Sequence, residues 1–203
     1  DTKSFPGIIF AGDSHIEQYH SRIKLLSQRS NKTAAIIASG GCYILNGDLT
    51  NETKCQNASE NFYRLLADPR TKTVVIGNQW GAKDFKSPAF LHGIDRLRKA
   101  LSERPDIQAF VLLDPPWDQG ENQNAQGTFD PYKHYNRFDF RPNDFIVSYP
   151  RMTLWQQGNM AIAKHLSDVA QIIHIEQYVC PEGKCNLLKW YRDDDHLQPI
   201  RLE

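Results

Sequence analysis

Short unbroken apolar runs alternate with amphipathic stretches along this chain. Ile8 to Ala11, Thr33 to Ala38, Thr73 to Ile76, Ile107 to Leu113 and Ile172 to Ile175 read as buried strands. Between them, apolar residues recur at steps of three and four: Ile16, Tyr19, Ile23 and Leu26; Phe62, Leu65 and Leu66; Leu91, Ile94, Leu97 and Leu101; Trp155, Ile162, Leu166 and Val169. That period is helical. Asn57 with Glu60 reads as a capping pair, and Ser87-Pro88 opens a helix with a cap and a proline in its first turn. Asp68-Pro69 and Arg104-Pro105 close helices. Strands that are apolar on both faces and alternate with helices belong to a parallel sheet covered on both sides. The pattern predicts an α/β chain, a flavodoxin-like three-layer α/β/α sandwich of about five parallel strands. It forms one domain over residues 1–203.

The pattern breaks between Asp114 and Pro150, where Pro, Gly, Asn and aromatics replace any period. A stretch of that length without its own elements is often functional. Ligands of a parallel α/β sheet bind beyond the carboxyl ends of the strands. Ser14, Gly40, Gly41, Gly77, Asn78 and the tail with His196 are therefore expected to converge on one rim.

Composition narrows the function classes. Lys plus Arg equals Asp plus Glu at 24 each, so no net charge steers the protein to nucleic acid or an anionic membrane. No apolar run is long enough to span a bilayer, and no signal-peptide pattern opens the chain. Starting at Asp1 without Met, it reads as a mature form or an excised domain. Cys42, Cys55, Cys180 and Cys185 fall into two local pairs, which fits two disulfides in an oxidising compartment; free cytosolic thiols fit the count equally. Neither spacing is the zinc knuckle. No cofactor is expected.

Two chemistries compete for Gly12-Asp13-Ser14-His15. In the first, Ser14 is a nucleophile, His196 its base and Asp193, three residues earlier, the group that orients the base. The Ser14 N–H, an N–H of Gly40 or Gly41, and a side-chain amide of Asn78 or Gln79 then supply an oxyanion hole. In the second, Asp13, His15, Asp48 and Asn78 are metal ligands of a phosphoesterase. That series lacks its later histidines, since Gln79 follows Asn78 and no His-x-His occurs. Gly12-Asp13-Ser14 alone is also an ordinary strand-to-helix turn, and Asp193-Asp194-Asp195 a solvated acidic run. Polar or glycine-bearing turns after three successive strands, with Asp-x-x-His past the fifth, favour the nucleophile.

These blocks resemble the SGNH (GDSL-like) hydrolase superfamily: Gly12-Asp13-Ser14-His15 the first block, Gly40-Gly41 the second, Gly77-Asn78-Gln79 a loose third, and Asp193-Asp194-Asp195-His196-Leu197 the fifth. Trp80, the Cys180-to-Cys185 turn and the Asp-Asp-Asp-His-Leu tail look like one branch. In that branch the SGNH domain is fused behind an acyltransferase-3 membrane domain in bacterial polysaccharide O-acetyltransferases. The resemblance implies a soluble domain on the periplasmic side of the inner membrane. It also implies an acyl donor delivered by a fused or partner acyltransferase-3 domain, and acetyl transfer through acyl-Ser14 to a sugar hydroxyl of lipopolysaccharide or a related glycan. A secreted carbohydrate O-acetyl esterase is the alternative, and a non-enzymatic glycan-binding module a third. The third block departs from Gly-x-Asn: Gln79 stands at the Asn position and Asn78 one residue early, so the side-chain oxyanion donor is Asn78, Gln79 or neither. Trp80, Trp117 and Tyr135 are the candidate substrate contacts. Aromatics suit sugar faces, although loop aromatics also pack on one another.

Overall fold

The computed structural model describes residues 5–82, 84–115, 146–148 and 153–186. Within them the chain runs β1 (Ile8–Gly12), α1 (Ser14–Glu17), α2 (His20–Ser30), β2 (Ala34–Ala38), α3 (Thr53–Ala67), β3 (Thr73–Gly77), α4 (Pro88–Ser102), β4 (Gln108–Leu112), β5 (Ile146–Ser148), α5 (Thr153–Leu166), β6 (Gln171–Ile173), α6 (Glu176–Val179) and β7 (Lys184–Asn186).

Five strands form one parallel sheet in the order β2-β1-β3-β4-β6. The predicted flavodoxin-like α/β/α order is therefore present. β1 lies in register with both neighbours, Gly12 opposite Ala38 and Gly77. The chain steps from β1 to β2 in one direction and then returns past β1 to β3, so its topological switch lies between β1 and β3. In such sheets that switch is where ligands bind.

Right-handed crossovers put the helices after β2, β3 and β4 on one face and α2 on the other. The first face holds the core: Ile9, Ala11, Val74, Ile76, Ala109 and Val111 from the sheet meet Phe62 and Leu66 of α3, Phe90, Ile94 and Leu97 of α4, and Ile162 and Leu166 of α5. Phe10, Val75 and Phe110, on the opposite face, are half-buried among the described residues.

Several expectations change in detail. The first helix is two: α1 ends at Glu17 and α2 begins at His20, and Leu26 is exposed. α3 begins at Thr53, so Asn57 lies inside it and caps nothing; Cys55, in its first turn, is tied to Cys42. Leu91 faces outward, and Phe90 takes its place on the buried stripe of α4. The stretch between Cys42 and Cys55 holds a 3₁₀ segment (Ile44–Leu49) whose Ile44 and Leu45 belong to the core. A short antiparallel pair, β5 with β7, was not foreseen; three-residue strands leave too few positions for a period to register. The Ser87 cap is as expected, its hydroxyl accepting from the Phe90 N–H at 3.1 Å.

Candidate active site

β1 ends in a glycine because nothing larger fits. A Cβ on Gly12 would lie 1.7 Å from the Gly77 carbonyl oxygen and 2.7 Å from the Ile16 side chain. The ends of β1 and β3 are thus pressed together. Asp13 follows as the N-cap of α1, and its two carboxylate oxygens are both used. Oδ1 accepts from the His15 N–H at 3.0 Å, and Oδ2 accepts from the Gln79 N–H at 3.0 Å, across the switch point. A carboxylate bonded in this way is a cap and a tie between strand ends, not an open metal ligand. Ser14 is the first helical residue and is half-buried.

At the end of β2 the Ser39 N–H donates to the Gly12 carbonyl at 3.2 Å. Gly41 has φ of 76°, in the region that favours glycine. Gly40 and Gly41 are exposed, and a disulfide between Cys42 and Cys55 fastens the turn to α3. Cys180 is disulfide-bonded too; the side chain of Cys185 lies outside the described residues. Cys42, Glu52 and Cys55 bring two sulfurs and a carboxylate together. With the sulfurs joined they offer no thiolate, so this cluster suits no metal.

Past β3 come Asn78, Gln79 and Trp80. Asn78 is buried, and among the described residues neither of its amide atoms has a hydrogen-bond partner. It lines a cavity of about 10 Å³ with His15, Tyr19, Leu112 and Asp114, about the space one water needs. Gln79 is half-buried, and its backbone N–H is the one bonded to Asp13. Trp80 corrects an expectation. It has 0% exposed surface, donates its indole N–H to the Leu112 carbonyl at 2.9 Å and meets Tyr43 edge-on, so it is a core residue and cannot touch a substrate. Gly158 of α5 permits this packing, since a Cβ there would come within 2.6 Å of the Trp80 and Gly81 backbone.

Asp114 is not among the candidates that the sequence offers. It is the first polar residue after β4, as Asp13 is after β1, and that parallel was the available signal. Its Oδ1 lies 2.6 Å from His15 Nδ1, and both side chains are buried. Its backbone is held on both sides: Asn159 Oδ1 accepts from the Asp114 N–H at 2.9 Å, and the Asp114 carbonyl accepts from Asn159 Nδ2 at 3.0 Å and Trp155 Nε1 at 2.5 Å. Burial, with the Asp114 charge second, pushes the nearby Tyr19 phenol well above its usual range and keeps it protonated. A wider cleft of about 410 Å³ shares Leu113 with the small cavity and is also lined by Trp155, Asn159, Met160, His174 and Glu176.

Ser14, Gly40, Gly41, Asn78 and Gln79 thus stand at the carboxyl ends of three adjacent strands. Asp193, His196, Trp117 and Tyr135 lie outside the described residues.

The family model described as "SGNH domain (fused to AT3 domains)" matches residues 1–200. A search of curated proteins finds no match. Among solved structures, the periplasmic domain of a lipopolysaccharide acetyltransferase from Salmonella Paratyphi A superposes with a TM-score of 0.62 at 13% identity, over 97% of this chain and 79% of that one. A protein assigned as an SGNH hydrolase from Slackia heliotrinireducens gives 0.61 at 17% identity, over 95% and 90%. One assigned as an arylesterase from Agrobacterium tumefaciens gives 0.54 at 13%, over 96% and 91%. At these identities the likeness is one of fold.

Proposed function

This chain belongs to the SGNH domains that are fused to AT3 domains, and from that premise we propose that it transfers an acetyl group, through an ester on Ser14, to a sugar hydroxyl of a bacterial cell-surface polysaccharide such as lipopolysaccharide O-antigen. The membership supports serine esterase or acyltransferase chemistry. The donor is then delivered by a fused or partner AT3 domain, on the periplasmic side of the inner membrane. The observation that carries the reading is local: Ser14 opens a helix at the β1/β3 switch point, beside a cap that ties both strand ends together.

In the first half-reaction His196, oriented by Asp193, takes the Ser14 hydroxyl proton as Oγ attacks the acyl carbonyl. The leaving group departs with that proton. In the second, a sugar hydroxyl gives its proton to His196 and attacks the acyl carbon, and Ser14 leaves as the alcohol. Each tetrahedral intermediate carries one oxyanion. The N–H groups of Ser14 and Gly41 stabilise it, with Gln79 as the side-chain donor. Gln79 is preferred because its backbone is bonded beside the nucleophile, whereas Asn78 is buried in the cavity behind it.

Ser14→Ala tests this. Turnover of a chromogenic acetate ester is expected to fall by about 10⁴-fold or more. Unchanged turnover rejects Ser14 as the nucleophile.

A further inference from the structure

A single-turn helix holds the nucleophile, and one turn has little stability of its own. The residue after Ser14 is where the rest of the molecule takes hold of it. His15 and Asp114 face one another at 2.6 Å with both side chains buried. β3 stands between β1 and β4 in the sheet, so the sheet's own ladder does not join these two strand ends. The pair does. Asp114 is in turn a fixed point, because Asn159 bonds its N–H and its carbonyl, and Trp155 bonds that carbonyl again. A line of contacts therefore runs from α5 through Asp114 and His15 to the backbone of Ser14.

Stability alone is a poor reason for such a pair. Two ionisable side chains out of water are commonly no better than apolar groups of the same shape. What a close polar contact in a buried site gives and an apolar contact does not is a preference for one placement of the two side chains. We infer that His15 and Asp114 act as positioning residues: together they set where the Ser14 hydroxyl and N–H point. The inference rests on the acyl-serine reading above and adds a second histidine–carboxylate pair to it, distinct from His196 and Asp193.

The test uses steady-state kinetics on a small chromogenic acetate ester, with circular dichroism and thermal melts to confirm folding. His15→Gln and Asp114→Asn are each expected to lower kcat by about 10- to 100-fold with KM nearly unchanged, the signature of a misplaced reacting group. Combined, they are expected to cost no more than the worse of the two, because both break one contact. His15→Leu with Asp114→Leu removes the pair without leaving a charge unpaired, so the fold survives while kcat stays low. Wild-type kcat in that folded double variant overturns the inference, as do strictly multiplying losses in the Gln/Asn double. Ser14→Ala is the control: if it keeps its activity, the acyl-serine reading falls and this inference with it. If Ser14→Ala is inactive while the pair variants run at full rate, only the pair is at fault.

Discussion

Asp13 decides what the opening Gly12-Asp13-Ser14-His15 stretch can do. With one oxygen on the His15 N–H and the other on the Gln79 N–H, it is a cap and a tie. Losing a cap of this kind costs about 0.5–2 kcal/mol, so Asp13→Ala should lower the melting temperature and also loosen Ser14 relative to Gln79. The neighbouring amides separate at the same scale. Gln79→Ala should lower kcat by about 10²- to 10³-fold, as loss of one oxyanion donor does. Asn78→Ala should leave kcat within about threefold and act mainly on stability, as a change to a buried polar group does. Parallel kinetics and melts of the two variants check this, and the reverse ranking would reassign the donor. Ser14 and its turn were legible because a strand-end glycine followed by polar residues is a local signal. Asp114 was not, because its importance depends on His15, a hundred residues away in sequence, being brought against it by strand order.

Elements behave as the period of their apolar residues dictates, except where a covalent or packing constraint intervenes. The five strands were visible as apolar runs, within a residue or two at their ends. α3 extends upstream of its apparent cap, and its first turn carries Cys55, bonded to Cys42. Trp80, a candidate substrate contact by sequence, is buried because the glycine at 158 lets α5 close over it. A disulfide that closes a loop of this size contributes about 3 kcal/mol. Cys42→Ala with Cys55→Ala should therefore lower the unfolding free energy by about that amount in a denaturant titration. It should also depress kcat more than KM, since Gly41 is the residue before Cys42. Intact stability after the double substitution would contradict the first expectation. Gly12→Ala is expected to be far more damaging, as the new Cβ meets the Gly77 carbonyl at 1.7 Å.

At the scale of the whole molecule, the two ends of the sheet do different work. The amino ends carry an ionic network: Arg104 bonds Asp106 and the carbonyls of Leu66, Asp68 and Thr71, while Arg70 bonds Asp68 and Lys72 bonds Asp106. The Arg70 side chain, then its backbone N–H, hold the Asp68 carboxyl down to about 2, and Arg104 followed by Lys72 hold Asp106 lower still. Carboxyls lowered in the folded state stabilise it above their ordinary range, and that contribution is lost as pH falls from about 4 through 2. Asp106 is exposed and Asp68 half-buried at the surface, so the effect is modest and screened by salt. Melts between pH 5 and 2 should show the loss, smaller at high salt and smaller in Asp106→Asn. The carboxyl ends hold Ser14, Gly41, Asn78 and Gln79, the residues on which the proposed function rests. The parallel sheet was readable from the alternation of elements, whereas the pairing of β5 with β7 was not, because three-residue strands carry too few positions for a period.

The central claim is that Ser14 is the acyl-bearing nucleophile. Its most direct measurement is mass mapping of the protein after reaction with a fluorophosphonate, which bonds covalently to activated serines. Stoichiometric modification of Ser14, loss of acetate-ester turnover in proportion, and no adduct in Ser14→Ala are expected. An active protein that carries the adduct on another residue, or none at all, would contradict it.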